Sequence, residues 1–270
     1  MSRVLKKLLI ILLLLSITSS VYADFTPPTS EYDSDVYTKL LLHCNGTDGS
    51  TTIPDSGNTD HGNATITGSM ELDTAQKQFG SASLLCGGGW NDHIDFSDHA
   101  DWDFGSGDFT IDCWVRFDVI EDAQFYFFHR VGSGIDCYLL RNDQSPFSYR
   151  LEFLWYINST DVVVTTGAIS WTADQWYHVA VVRSGDDYNI YLDGVSEGSV
   201  TDSDTLTNTN PDLYIGRQNS GSDVVWVDEY RISKGIARDW VSEVGQFIWI
   251  TEIRIKKWWK NLMWEINGRG

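Results

Sequence analysis

Nine consecutive residues, Phe109-Thr110-Ile111-Asp112-Cys113-Trp114-Val115-Arg116-Phe117, alternate apolar and polar side chains. That period of two constrains the chain more than any other feature, because only a strand turns it into one apolar and one polar face. It predicts Phe109, Ile111, Cys113, Val115 and Phe117 facing a core, with Asp112, Trp114 and Arg116 on the opposite side. Trp176–Arg183 and Asn189–Gly194 follow the same style, the latter closing on the turn-forming pair Asp193-Gly194. Further strands are expected at 39–44, 82–86, 92–96, 124–130, 136–141, 149–157, 161–166, 212–216 and 224–232, separated by Gly, Asn, Asp and Ser. No segment of the body carries a helical period. Many short strands with polar turns predict an all-β fold, a sandwich of two antiparallel sheets. A chain of 270 residues with 12 each of Trp, Tyr and Phe has the apolar material to fill it.

The first 23 residues stand apart from this pattern. Arg3, Lys6 and Lys7 precede the Leu/Ile run Leu8–Ile17, and Val21-Tyr22-Ala23 offers the small residues of a signal-peptidase site. Residues 1–23 read as a secretory signal cleaved after Ala23, with an uncleaved N-terminal anchor as the alternative. The expected location is therefore secreted, extracellular or periplasmic. Cleavage takes the formal charge from −19 to −22, which repels phosphate and excludes nucleic acid as the main partner. Residues 24–37, with Pro27-Pro28, read as a stiff linker. Residues 241–270 form an atypical end that is basic and rich in Trp, including Lys256-Lys257-Trp258-Trp259-Lys260. It reads as an extra strand or a loosely held terminus, or as a contact for a membrane surface.

Four cysteines, Cys44, Cys86, Cys113 and Cys137, remain in the exported chain. An even number in an oxidising compartment favours disulfides, yet each lies in an apolar stretch where a free thiol behaves as a small hydrophobe. Both readings stand. No C-x-x-C pair, Walker loop, His-Glu-x-x-His helix or nucleophile elbow occurs, so zinc-finger, phosphate-loop, zincin and esterase-type chemistry have no support.

The ordered series Lys39–Gly46, Asp55–Asn58, Asp73–Gln76, Phe79–Ser83, Trp102–Ile111, Trp176–Ala180, Tyr191–Gly194 and Asp228–Ser233 resembles the laminin-G-like jelly rolls of the concanavalin A-like lectin/glucanase superfamily. The resemblance spans residues 38–240. It implies two antiparallel sheets packed face to face, one of them concave. It also implies Cys44 close to Cys86, since both stand where such domains usually carry a large apolar residue; Cys113 with Cys137 is the second candidate pair.

Several expectations about function follow from the resemblance. Some members are retaining glycosidases with a Glu-x-Asp-x-x-Glu strand; the nearest string here, Glu71 to Gln76, ends in Gln, so the chain reads as non-catalytic. The leading expectation is a lectin-like or adhesion module for a glycan or a cell-surface or matrix ligand. The alternatives are a structural protein–protein interaction domain and, more weakly, a polysaccharide hydrolase. Asp112, Trp114 and Arg116 are placed on the concave face, with Arg130, Arg141, Trp155 or Tyr156, and His178 as further ligand candidates. Asp55, Asn58 and Asp60 resemble a loop that binds structural Ca2+ in such domains, with Asp228 as its partner from the last strand.

Overall fold

The computed structural model describes residues 27–238, except 88, 90, 121–123, 143–148, 158–159, 207–209 and 221–223. The expected signal segment and the tail from 241 lie outside the described residues. In chain order the strands are β1 (Thr38–Leu42), β2 (Thr65–Thr67), β3 (Glu71–Asp73), β4 (Ser83–Cys86), β5 (His93–Phe96), β6 (Phe109–Phe117), β7 (Gln124–Gly132) and β8 (Ile135–Asn142). They continue with β9 (Arg150–Ile157), β10 (Thr160–Thr165), β11 (Trp176–Ser184), β12 (Asp187–Leu192), β13 (Val195–Thr201), β14 (Leu213–Ile215), β15 (Arg217–Ser220) and β16 (Val225–Lys234). A single 3-10 turn, Ala100–Trp102, is the one helical element among the described residues, so none there is long and apolar enough to cross a membrane.

The strands form two antiparallel sheets. The first runs β13-β12-β11-β6-β16-β4-β3, with β1 also paired to β16; the second runs β10-β9-β8-β7-β14-β5-β2, with β15 paired to β7. The expected alternation holds along β6, where Phe109, Ile111, Cys113, Val115 and Phe117 are all buried in the core between the sheets. Phe125, Phe127, Phe153 and Trp155 meet them from the second sheet. Each fully buried aliphatic or Phe side chain contributes roughly 1.5–3 kcal/mol, so this layer supplies most of the driving force.

Four strands, β2, β3, β13 and β15, were not expected from the sequence. β13 reads Val-Ser-Glu-Gly-Ser-Val-Thr, largely exposed, and has little apolar pattern of its own. The turn before it does the pairing: Asp193 and Gly194 both take positive φ, 48° and 85°, the geometry of a two-residue hairpin loop whose twist matches antiparallel strands. Further along, a Cβ at Gly198 would come within 2.4 Å of the Thr165 carbonyl oxygen. Glycine there lets the edges of the two sheets meet.

β16 changes neighbours halfway. Val225–Val227 pair with β4, and Tyr230–Ser233 pair with β1, with a register shift between Asp228 and Arg231. Glu229 sits in the gap at φ 50°. At the switch two buried carboxylates, Asp228 and Glu229, hold the neighbouring chain segments by their side-chain oxygens. Asp228 accepts from the backbone N–H groups of Gln78, Phe79 and Glu229 at 2.8, 3.0 and 2.9 Å. Glu229 accepts from the Tyr32 N–H at 2.7 Å and bonds His43 Nδ1 at 2.9 Å.

Of the segment 24–37 expected to be a linker, the described residues from 27 onward cluster with the sheets. Tyr32 is 4% exposed and packs with Leu41 and Trp114, flanked by Phe79 and Trp176, on the outer side of the first sheet.

Candidate functional site

Asp112, Trp114, Arg116 and His178 do share the outer side of the first sheet, with His178 directly opposite Trp114 in the ladder. They are not an open binding face. Arg231 Nε and Nη2 donate to the two oxygens of Asp112 at 3.0 and 2.7 Å, a bidentate pair buried with both partners essentially unexposed. His178 Nε2 lies 3.4 Å from Asp112 and 2.9 Å from the Tyr32 hydroxyl. Trp114 meets the rings of Phe79 and His178 edge-on and is 9% exposed. Arg116 pairs with Asp174 at 2.6 Å and lies over Trp226. Alternation correctly sends these side chains away from the core; Tyr32 and Phe79 then cover Asp112, Trp114 and His178.

The remaining ligand candidates lie in the second sheet and do not join that group. Trp155 is 2% exposed inside the core, because β9 turns Leu151, Phe153 and Trp155 inward and leaves Tyr156 outside. Arg141 is likewise buried, its guanidinium 4.0 Å from the Phe117 ring centre. Arg130 is fully buried and links distant turns: it bonds Asp98 and Asp103, and the carbonyls of Trp102 and Pro211.

The calcium set is not assembled either. Asp55 accepts from the N–H groups of Leu41, Gly57 and His61 at 2.9, 2.6 and 3.1 Å, closing its own loop. Asp60 caps the Gly62 N–H at 2.8 Å, and Asn58 donates its backbone N–H to Thr38. Asp228, in β16, is taken up by the N–H groups of Gln78 and Phe79. Among the described residues Asp55, Asp60 and Asp228 do not bring their oxygens together, and carboxylates surrounded by N–H donors present little to a hard cation.

Nor do the cysteines bond. All four are buried free thiols. Cys44 and Cys137 turn their Sγ toward the carbonyls of Leu42 and Tyr156, and Cys86 Sγ occupies the space beside Gly216, 2.9 Å from where a Cβ would stand. They act as small core fillers. Asp73 of the glycosidase-like string is engaged too: it accepts from Trp226 Nε1 and from the Ala75 N–H, both at 2.7 Å.

The outer side of the second sheet presents a different constellation. Ladder partners connect Thr65 to Asp95, Asp95 to Tyr214, Tyr214 to His129, His129 to Tyr138, Tyr138 to Leu154 and Leu154 to Val163. Directly opposed residues of antiparallel strands share a face, so these seven form one row across seven strands, about 29 Å long at the usual strand spacing. A bulge between Tyr126 and Phe128 keeps Tyr126 on the same face as His129, and the two rings stack at 4.1 Å. A shorter row, Val131, Asp136, Tyr156, runs alongside.

The polar atoms of this face are ordered by one another. Arg217 Nη1 donates to His129 Nδ1 at 3.3 Å, which leaves the proton on Nε2, 3.3 Å from Asp136 Oδ1. Burial pushes the His129 pKa down, and the cation of Arg217 adds to it against the pull of Asp136, so the ring is neutral near pH 7. Arg217 also donates to Asn91 Oδ1 at 2.8 Å and lies over Tyr214. His93 meets Tyr214 edge-on at 4.7 Å. Tyr138, Asp136, Tyr214 and Arg217 are partly exposed, and Tyr156 is 36% exposed. An open pocket of ≈ 430 Å³ adjoins the row at Tyr214, bounded by Val131, Ile135 and Pro211.

Sequence reasoning missed this face because its residues come from separate strands. The available signal was the alternation His93-Ile94-Asp95 and Leu213-Tyr214-Ile215, which sends polar and aromatic groups outward on short strands.

A comparison with curated protein sequences found no match. Among solved structures, the chain resembles domain 4 of AbnA, a GH43 extracellular arabinanase from Geobacillus stearothermophilus, in complex with arabinotriose; TM-score is 0.58 at 17% identity, over 77% of this chain and 98% of that one. The binding domain of Paraclostridial Mosquitocidal Protein 1 matches with a TM-score of 0.58 at 15% identity, over 78% of this chain and 51% of that one. The binding domain of botulinum neurotoxin DC, in complex with rat synaptotagmin II, gives 0.56 at 13% identity, over 74% and 49%. The chain thus spans about half the length of these toxin domains. These likenesses establish the two-sheet jelly-roll fold. Family Laminin_G_3, described as the concanavalin A-like lectin/glucanases superfamily, matches residues 87–236, more than half of the chain. The protein therefore belongs to the laminin-G branch of the concanavalin A-like lectin/glucanase superfamily.

Proposed function

We propose that the protein is a secreted, non-catalytic binding module whose ligand is a glycan lying along the outer row of the second sheet. The observation that carries this reading is the unbroken line Asp95, Tyr214, His129, Tyr138 across adjacent strands. A sugar offers apolar C–H faces and a rim of hydroxyls. Tyr214, Tyr138 and Tyr156 supply flat surfaces for the former, and Asp95, Asp136 and Arg217 supply acceptors and donors for the latter. A row about 29 Å long suits an extended oligosaccharide rather than a single sugar. The arabinotriose named with AbnA domain 4 supports the same class of ligand. Secretion is supported by the basic and apolar start of the chain and by its acidic surface.

The test is a glycan array with the full chain, followed by calorimetry on any binder. Tyr214→Ala and Asp136→Asn should each weaken binding by more than about tenfold, near 1.4 kcal/mol, while leaving the melting temperature within a few degrees. Binding lost in Trp114→Ala but kept in Tyr214→Ala would move the site to the first sheet. A folded protein that binds no glycan, yet is captured by a protein ligand through Tyr214, would replace the ligand class.

A further inference from the structure

The loop expected to bind calcium does something else: it carries His61 to the turn after β5. His61 Nε2 lies 3.3 Å from Asp101 Oδ2, and His99 Nδ1 lies 3.3 Å from the same oxygen. All three ligand atoms fall within 4.8 Å of one another. His61 is held from behind, its ring 4.6 Å from Trp102 and 4.7 Å from His99, its backbone N–H on Asp55. The side chain is 10% exposed. Its Nε2 and the Oδ2 of Asp101 are both buried and, among the described residues, neither makes a hydrogen bond. Leaving such atoms unpaired is unfavourable by about 1–3 kcal/mol each, which asks for a partner between them.

We propose that His61, His99 and Asp101 form a site for a divalent transition ion of the zinc class, joining loop 54–63 to the turn at 99–102. Zinc holds N and O ligands at about 2.0–2.1 Å in a tetrahedron, which sets ligand atoms about 3.3–3.4 Å apart; two of the three separations already have that value. Two imidazoles and one carboxylate select against calcium and magnesium, which take oxygen ligands. The fourth position faces outward past His99, whose side chain is 46% exposed, leaving it to water. His99 Nδ1 at present accepts the Asp101 N–H at 3.2 Å; the ion takes over that lone pair. The strongly acidic surface raises the local concentration of cations. The other His–carboxylate group, Glu31, His43 and Glu229, carries no such vacancy, since Glu229 is already bonded to His43 and the Tyr32 N–H.

The test uses the full chain stripped with chelator and titrated with Co2+, whose visible absorption reports four-coordinate binding, then with Zn2+ as competitor. One ion should bind per chain, Zn2+ should displace the colour, and Zn2+ in hundredfold excess over Kd should raise the melting temperature by about 5–10 °C. His99→Gln, at a half-exposed position, and Asp101→Asn should each weaken binding by more than about tenfold while the protein stays folded. His61→Gln should abolish the colour, and His43→Gln should leave it unchanged. No Co2+ or Zn2+ binding by folded protein would show a plain imidazole–carboxylate pair and overturn the site, as would binding that survives His99→Gln but not His43→Gln. Glycan binding through Tyr214 is read separately and is unaffected by either result.

Discussion

The guanidinium of Arg231 lies 4.0 Å from the centre of the Tyr32 ring, so a residue near the start of the described chain and one in its last strand close over the same buried carboxylate, Asp112. The pair makes residues 27–37 a structural lid on the first sheet. It also explains why Asp112, Trp114 and His178, which alternation sends outward, are buried.

Tyr32→Ala removes the ring that covers Arg231 and His178. The expected loss is about 3–5 kcal/mol, as for other buried aromatics, or roughly 10 °C in melting temperature for a domain of this size. Trp114 becomes wet, so its fluorescence should shift to the red. Denaturant titration of the variant checks both; unchanged stability would show that the segment does not hold the sheet.

Asp112→Asn leaves Arg231 as a buried charge without a counter-ion, which should destabilise by about 3–5 kcal/mol. In the native protein burial pushes the Asp112 carboxyl up, but Arg231 and His178 outweigh it and hold it at about 2. A depressed carboxyl stabilises fully above its unfolded value near 4 and loses that contribution as pH falls toward its folded value. The wild type should therefore lose stability between about pH 4 and pH 2, and the variant should show a shallower decline there. Urea midpoints across that range decide it.

His43 and Asp228 act with the opposite sign. The hydrogen bond that His43 donates to Glu229 raises His43 above 6.5 in spite of its partial burial, and burial pushes Asp228 up to about 7 against its backbone N–H donors. Each holds its proton more tightly in the folded state. The Asp228 contribution falls between about pH 4 and 7, and that of His43 falls above 6.5 as its folded value is passed. Stability should thus decline from mildly acidic to mildly alkaline pH, with the segment at Tyr32 loosening first. His43→Gln should flatten the upper part of the decline, read as amide exchange at residues 31–33. An alkaline midpoint no lower than the acidic one would contradict this.

The four thiols should be silent in the native protein and all four should react with a thiol reagent once it is denatured without reductant. Burial raises every one of them, Cys137 to about 12, and the thiolate is the reactive form. Two or fewer thiols on denaturation would indicate a disulfide.

Most strands were legible because alternation is local. β6 occupies the nine residues expected of it, and β9, β11 and β16 fall within two residues of their expected bounds. β2 and β15 were not legible, since three or four residues carry too little pattern, and β13 depends on the turn at Asp193-Gly194 rather than on its own side chains. The Trp155/Tyr156 choice needed a register that the run Leu154-Trp155-Tyr156-Ile157, apolar or aromatic throughout, does not declare. Tyr138 and Tyr214 were not singled out, because nothing local ties one strand's outward residue to the other's.

Where apolar and polar residues alternate cleanly, as along β6, the sequence alone determined which side of the strand each residue takes, because successive Cβ atoms point to opposite faces. For that reason Asp112, Trp114 and Arg116 could be turned away from the core by reading nine letters. Which outer face stays open was decided only by the tertiary structure. Tyr32 reaches Arg231 across nearly the whole described chain and seals one sheet, while Asp95, Tyr214, His129 and Tyr138 become neighbours only when four separate strands come into register. Such contacts are set by how two sheets and their covering segments satisfy each other's buried polar groups and apolar surface, and no local pattern carries that information.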